Sequence, residues 1–341
     1  MRSQPAVVLV SDMAAPGSLP VPYGAIGLLF EQQSITLFLG AAASSVVTPG
    51  TECQASGGLP SAKQLSADLS KLADYPVGRD NDALTKVSQY LVEYAGDRDM
   101  ILSYIKAQFH DKVPDDYRTS VTDFLERVPV SHIPKLIVST NYDTLIERLL
   151  ERRSVPYICV SHILGKSKHS GRLIVYEKLG KFSKDSIMTR AVAEELLQDR
   201  LDAADIPIII YKMHGSATSF VPRKDRDEEL AGGFNSIVIT EQDYIDYLDK
   251  NTMERLPIQM QEMLRKSQFL FLGYSLSDWN FRLLLHRLRD SQLGADTKHY
   301  ACLLHDDAVE TVFWQRRGVN LIYVSLDQFL GKLGQKLGIV T

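Results

Sequence analysis

Short apolar runs recur along the chain, and each ends in glycine or in a pair of polar residues. Ile35–Leu39 runs into Gly40, Lys135–Ser139 into Thr140 and Asn141, Pro207–Met213 into His214 and Gly215, and Gln268–Leu272 into Gly273. Runs of this length, bounded by small or polar residues, predict strands buried on both faces of a parallel sheet. Tyr157–Val160, Ile237–Ile239, Tyr300–Leu304 and Asn320–Val324 predict further strands. Between them, apolar positions recur at helical spacing over 142–152, 188–204, 241–250, 254–266, 277–291, 307–317 and 326–337. Ala25–Gln33 predicts a short helix before the first strand. Thr240 with Asp243, and Ser325 with Gln328, carry the pattern of helix N-terminal caps.

Strands alternating with helices predict the α/β class, a doubly wound, mostly parallel Rossmann-like sheet. Residues 61–129 break the alternation. They hold helical patterns without a convincing strand, which predicts a helical insertion or subdomain after the first strand. Residues 1–24 read as an N-terminal arm, and 25–341 as one domain carrying that insertion. The charged stretch 222–233 fits either a solvated loop or a mobile lid over a site.

Composition narrows the function classes. The chain has 341 residues, 45% of them hydrophobic and 23% charged, which suits a globular protein with a sizeable core. With 38 basic and 42 acidic residues the formal charge is −4, unsuited to wrapping nucleic acid over a broad surface, so no direct nucleic-acid binding is expected. No apolar run reaches the length of a membrane span, and no membrane association is expected. The three cysteines, Cys53, Cys159 and Cys302, are far apart and form no C-x-x-C pair. They exclude a disulfide framework and a four-cysteine zinc site, and imply a reducing, cytoplasmic compartment.

In an open parallel sheet, ligands bind beyond the carboxyl ends of the strands. Four such ends carry candidate chemistry. Gly40-Ala41-Ala42-Ala43-Ser44 fits a tight strand-to-helix turn, or a cradle whose small residues let the backbone approach a pyrophosphate. Asn141 and Asp143 fit a helix cap, or a pair holding ribose hydroxyls or a water. His214, followed by Gly215 and Ser216, fits a structural imidazole or a general base. Gly273-Tyr274-Ser275-Leu276-Ser277-Asp278 fits a capped turn or a second backbone cradle.

Taken in this order, the four segments resemble the sirtuin-like NAD-processing domains, most closely their bacterial anti-phage branch. That branch carries Gly-Ala-Gly-Ala-Ser, Ser-Thr-Asn-Tyr-Asp, Leu-His-Gly-Ser and Gly-Tyr-Ser-Leu-x-Asp in these places. Gly58-Leu59-Pro60-Ser61 and the stretch from Phe313-Trp314 to Phe329-Leu330 extend the similarity over roughly residues 26–333. Ala42 replaces the family's middle glycine.

The resemblance implies NAD as substrate and no zinc, since the four-cysteine module of protein deacylases has no counterpart. It implies Asn141, His214 and Asp143 as the catalytic set. Gly40, Ala41, Ala43 and Ser44 would then cradle phosphate, and Gly273, Ser275 and Asp278 would contact the adenosine side. It further implies an NAD hydrolase that depletes the cofactor in abortive infection. The chain would form a homo-oligomer, or pair with a protein such as a HerA-type ATPase or a short Argonaute. A non-catalytic NAD-sensing module, and a deacylase or ADP-ribosyltransferase, are the competing readings.

Overall fold

The computed structural model describes residues 21–46, 58–76, 83–96, 98–164, 169–203, 206–218, 236–249, 255–274, 298–305 and 308–339. Nine strands form one sheet: β1 (Ile35–Leu39), β2 (Leu136–Ser139), β3 (Tyr157–His162), β4 (Leu173–Leu179), β5 (Phe182–Met188), β6 (Ile208–Lys212), β7 (Gln268–Leu272), β8 (His299–Leu303) and β9 (Val319–Tyr323). Their order is β5-β4-β3-β6-β2-β1-β7-β8-β9. Along that order the β3-β6-β2-β1-β7-β8-β9 pairings are all parallel, while β3–β4 and β4–β5 are antiparallel at one edge. From β1 the chain builds outward through β2 on one side, then returns through β7 to build on the other. The strand order therefore reverses between β1 and β7, and ligand crevices form at such a switch point.

Alternation along the strands explains why the sheet is covered twice. Phe38, Val138, Ile209 and Phe271 face one core, while Leu37, Leu39, Ile137, Ile210 and Leu272 face the other. The first core is capped by α7 (Arg190–Leu201), α8 (Glu241–Asp249), α9 (Ile258–Lys266) and α10 (Ala308–Gln315). The second is capped by α1 (Tyr23–Glu31), α5 (Ser120–Arg127), α6 (Leu145–Arg152) and α11 (Leu326–Lys336). The expected caps are present: Asp243 N–H donates to Thr240 Oγ1 at 3.1 Å, and Gln328 N–H to Ser325 Oγ at 3.2 Å. Among the described residues no helix is long and apolar enough to cross a membrane.

The described residues of 61–129 are largely helical, but α5, the last helix in that range, packs on the sheet in the second core. α2 (Ala62–Leu72), α3 (Leu84–Ala95) and α4 (Asp99–Lys106) lead into a π-helical turn, Ala107–Asp111. Leu65, Leu69, Val87, Leu91, Ile101 and Ile105 make a third core that closes on Tyr142, Ala217, Ile237 and Ile239. The insertion thus packs directly on the loops beyond β2 and β6.

Several expectations need correction. Ile237–Ile239 is buried but is not a strand. Its polar groups are met by loops and side chains instead: Val238 N–H donates to His214 O at 3.1 Å, Tyr142 Oη to Val238 O at 2.7 Å, and Ile239 N–H to Asp243 Oδ2 at 3.0 Å. The helix expected over 142–152 begins at Leu145, because Asn141–Thr144 form the turn that caps it. Strand β5 was not expected, since its exposed Phe-Ser-Lys face lacks an apolar run. Gly180, at φ +62°, opens the two-residue turn that pairs it with β4. Residues 1–20, Cys53, the stretch 222–233 and the helix expected over 277–291 lie outside the described residues.

His162, the last residue of β3, is 2% exposed and edge-on to Tyr211 at 5.7 Å. Among the described residues neither ring nitrogen has a hydrogen-bond partner, and burial pushes its pKa down to about 3. The unfolded chain takes up that proton near pH 6.5 and the folded chain does not, so stability falls as pH drops between 6.5 and 3. Relative to neutral pH, about 2 kcal/mol is expected to be lost by pH 5 through this residue. Urea midpoints of the protein and of His162→Phe, compared at pH 7.5 and 5, measure it. An equal pH slope in both contradicts the assignment.

Candidate functional site

Three strand ends meet where the sheet order reverses. After β1 the chain makes a four-residue 3-10 turn, Ala41–Ser44. Ala43 N–H closes that turn on Gly40 O at 2.9 Å, and Ala42 N–H donates to Gly273 O at 3.0 Å. The Ala42 and Ala43 amides are thus both engaged within the loops. Ala41 and Ala42 are exposed, and Ala42 has no positive φ, so alanine suits this position without backbone strain.

The glycines answer a different need from the one expected. A Cβ on Gly40 would lie 2.6 Å from Gly273 O, and one on Gly273 would lie 2.1 Å from Ala43 N. Gly273 also sits at φ +70°. The two loops are pressed together backbone to backbone, and only glycine fits at either side of the contact. Ser275 and Asp278 lie outside the described residues.

A hydrogen-bonded chain joins the first two segments. Asn141 Nδ2 donates to Gly40 O at 2.9 Å and to Ser44 Oγ at 2.7 Å. Gly40 O can only accept, so the amide nitrogen must face it, and both amide hydrogens are used. Ser44 Oγ donates onward to Asp143 Oδ2 at 2.6 Å. The other carboxylate oxygen, Asp143 Oδ1, accepts from Leu145 N–H at 3.0 Å and fixes the entry to α6. Tyr117 Oη, which sequence reasoning missed, donates to Ser44 O at 2.9 Å and accepts from Leu59 N–H at 3.1 Å. No local signal marks Tyr117; only the packing of the insertion brings it in.

His214 comes from the neighbouring strand. Ser139 is in register with Lys212, so Asn141 and His214 each follow their paired residue by two. Two backbone bonds bracket them: Met213 N–H to Ser139 O at 2.9 Å, and Ala217 N–H to Tyr142 O at 2.7 Å. The His214 ring stands edge-on to Tyr244 at 5.6 Å and to Tyr247 at 6.2 Å, both on α8. Gly215, at φ +79°, lets the chain turn under Ser236, whose carbonyl oxygen would lie 2.3 Å from an added Cβ. The structure therefore gathers Gly40, Ser44, Asn141 and Asp143 into one network, places His214 beside it, and sets Gly273 against its first loop.

Beneath the network lies a cavity of about 10 Å³, lined among others by Ser44, Ser139, Asn141, Asp143, Glu147 and Lys212. That is room for about one water-sized group. Lys212 and Glu147 are 2% and 3% exposed and pair at 3.4 Å. Burial opposes the Lys212 charge, but Glu147 and Asp143 outweigh it and hold the ammonium's pKa above its usual value. Burial raises the Glu147 carboxyl, against the pull of Lys212. Cys159 and Cys302 are buried free thiols, the first pushed well up and the second to about 12 by burial. Among the described residues no group of three or more His, Cys, Asp or Glu side chains comes together to hold a metal.

Residues 135–322, more than half of the chain, match a family model described as the SIR2-like domain. The match begins at the entry to β2. The Gly40–Ser44 turn lies outside it and joins it through β1, hydrogen-bonded between β2 and β7. No curated protein matches the chain.

Proposed function

Because the chain belongs to the SIR2-like domain family, whose members bind and act on NAD, we propose that it hydrolyses NAD to nicotinamide and ADP-ribose. The observation carrying this reading is the bracketed pair, Asn141 and His214, at adjacent strand ends beside the switch point. Both Asn141 amide hydrogens point into the protein, which leaves Oδ1 to accept from a ribose hydroxyl or a water. His214 takes the proton from that hydroxyl or water. Asp143, locked by Ser44 and Leu145, holds the turn and supplies negative charge as oxocarbenium character develops.

The bond between ribose C1′ and the pyridinium nitrogen breaks, and its electron pair neutralises the nicotinamide. A water oxygen bonds to C1′ and its proton leaves through His214. The departing group needs no proton, so the reaction needs no acid carboxyl, unlike ordinary glycoside hydrolysis. The phosphates would lie against the exposed Ala41 and Ala42 and the Gly273 loop packed on them.

In the cell this activity reads as an NAD-depleting effector of anti-phage defence. It would be held in check by self-assembly or by a partner such as a HerA-type ATPase. The test is incubation of the purified chain with NAD, with nicotinamide and ADP-ribose quantified. Equimolar release, with an acyl-lysine peptide left acylated, is expected. Calorimetric NAD binding without product would instead favour a sensing module.

A further inference from the structure

Strand β6 reads Ile-Ile-Ile-Tyr-Lys, and the lysine is as buried as the isoleucines. Its partner Glu147, in the first turn of α6, is equally buried. Such a pair is a poor way to fill a core, because apolar side chains of similar volume stabilise as well or better. The ammonium has a second contact that apolar residues could not make: Lys212 Nζ donates to the backbone carbonyl of Asp143.

That contact spans the site. Lys212 lies two residues before His214, and Asp143 lies two residues after Asn141. One ammonium thus ties together the two segments proposed to act on NAD. From Asp143 the connection continues through Ser44 Oγ at 2.6 Å to the Asn141 amide at 2.7 Å. Lys212 and Glu147 also line the same small cavity as Ser44, Asn141 and Asp143.

We infer that Lys212, neutralised by Glu147, is a positioning residue: its ammonium fixes the Asp143 carbonyl and so sets the aim of the Asn141 amide. Glu147 has two parts in this. It holds the ammonium in place, and it cancels a positive charge that would oppose cationic character at the ribose carbon. The inference deepens the NAD-cleavage reading and rests on it for its kinetic part.

Two variants of the full chain test it. Lys212→Met alone strands the Glu147 carboxylate and is expected to lower Tm sharply. Lys212→Met with Glu147→Gln removes both charges and is expected to recover most of that loss. In the double variant the Asn141 and Leu145 amides, which bond to Ser139 Oγ and Asp143 Oδ1, are expected to exchange hydrogen about tenfold faster or more, as the turn loosens. Its kcat for NAD is expected to fall by about tenfold or more with KM within about twofold, the pattern of misplaced reacting groups. A double variant with unchanged exchange at these two amides, or with unchanged kcat, overturns the inference and makes the pair a mere core element. If the unmodified chain leaves NAD intact, the hydrolase reading fails. The exchange comparison still decides the positioning: faster exchange upholds it and unchanged exchange overturns it.

Discussion

Replacing Asn141 with alanine is expected to cut nicotinamide release by about 100-fold or more while Tm falls only a few degrees. The two effects separate because the side chain does two things. Structurally it supplies two hydrogen bonds, to Gly40 O and Ser44 Oγ, from a partly exposed position. Each such bond contributes about 0.5–1.5 kcal/mol net, and Ser44 keeps its bond to Asp143 when Asn141 is gone. In the proposed hydrolysis it is the group that presents an acceptor to the ribose or the attacking water. Ser44→Ala is the informative companion. It leaves Asn141 Oδ1 in place but frees both the amide and the Asp143 carboxylate from their shared hydroxyl. A loss of about tenfold is expected, smaller than for Asn141→Ala, because orientation is loosened and the group itself remains. Initial rates of nicotinamide release, with melting curves of the same samples, check both. Asn141→Ala cleaving NAD at the unmodified rate would remove Asn141 from the chemistry.

The sequence made the sheet legible where strands were buried on both faces. β1, β2, β6 and β7 are near-continuous apolar runs, and each lies within a residue or two of its expected position. It failed where burial and pairing part company. Ile237–Ile239 has the same apolar signature, yet its backbone bonds go to His214, Tyr142, Arg98 and Asp243. Hydrophobic runs report burial and leave hydrogen-bond partners undetermined. β5 fails in the opposite sense: it pairs along its length with β4 but is too exposed to need apolar residues. At the site, Asn141, Asp143 and His214 stand out by residue type at strand exits. Tyr117 and Glu147 do not, because they arrive from a loop before α5 and from the first turn of α6, whose approach is set by tertiary packing. The glycines were legible as necessary but their reason was not: space is needed for each other's backbone, and that depends on β1 and β7 lying side by side.

That last point gives the largest expected effect on stability. Gly273→Ala is expected to destabilise the fold by more than about 3 kcal/mol, enough to leave little folded protein at moderate urea. Two costs add. The first is conformational: at φ +70° an L side chain is strained by about 1 kcal/mol. The second is steric and larger: the new Cβ would lie 2.1 Å from Ala43 N, 2.7 Å from Ala42 C and 2.9 Å from Ala43 Cα. All three are backbone atoms of a turn already fixed by Ala42 N–H on Gly273 O and Ala43 N–H on Gly40 O. The clash can be relieved only by parting β7 from β1 at the switch point. Gly96 supplies the control within the same chain. It caps α3 at φ +67°, nearly the same backbone state, and nothing lies within 4 Å of an added Cβ. Gly96→Ala therefore carries the conformational cost alone, about 1 kcal/mol. The difference between the two urea midpoints isolates the pressure between the loops. Equal losses in the two variants would mean that the Gly40 and Gly273 turns are not in contact. The proposed NAD site would then lose the loop-to-loop contact on which it is built.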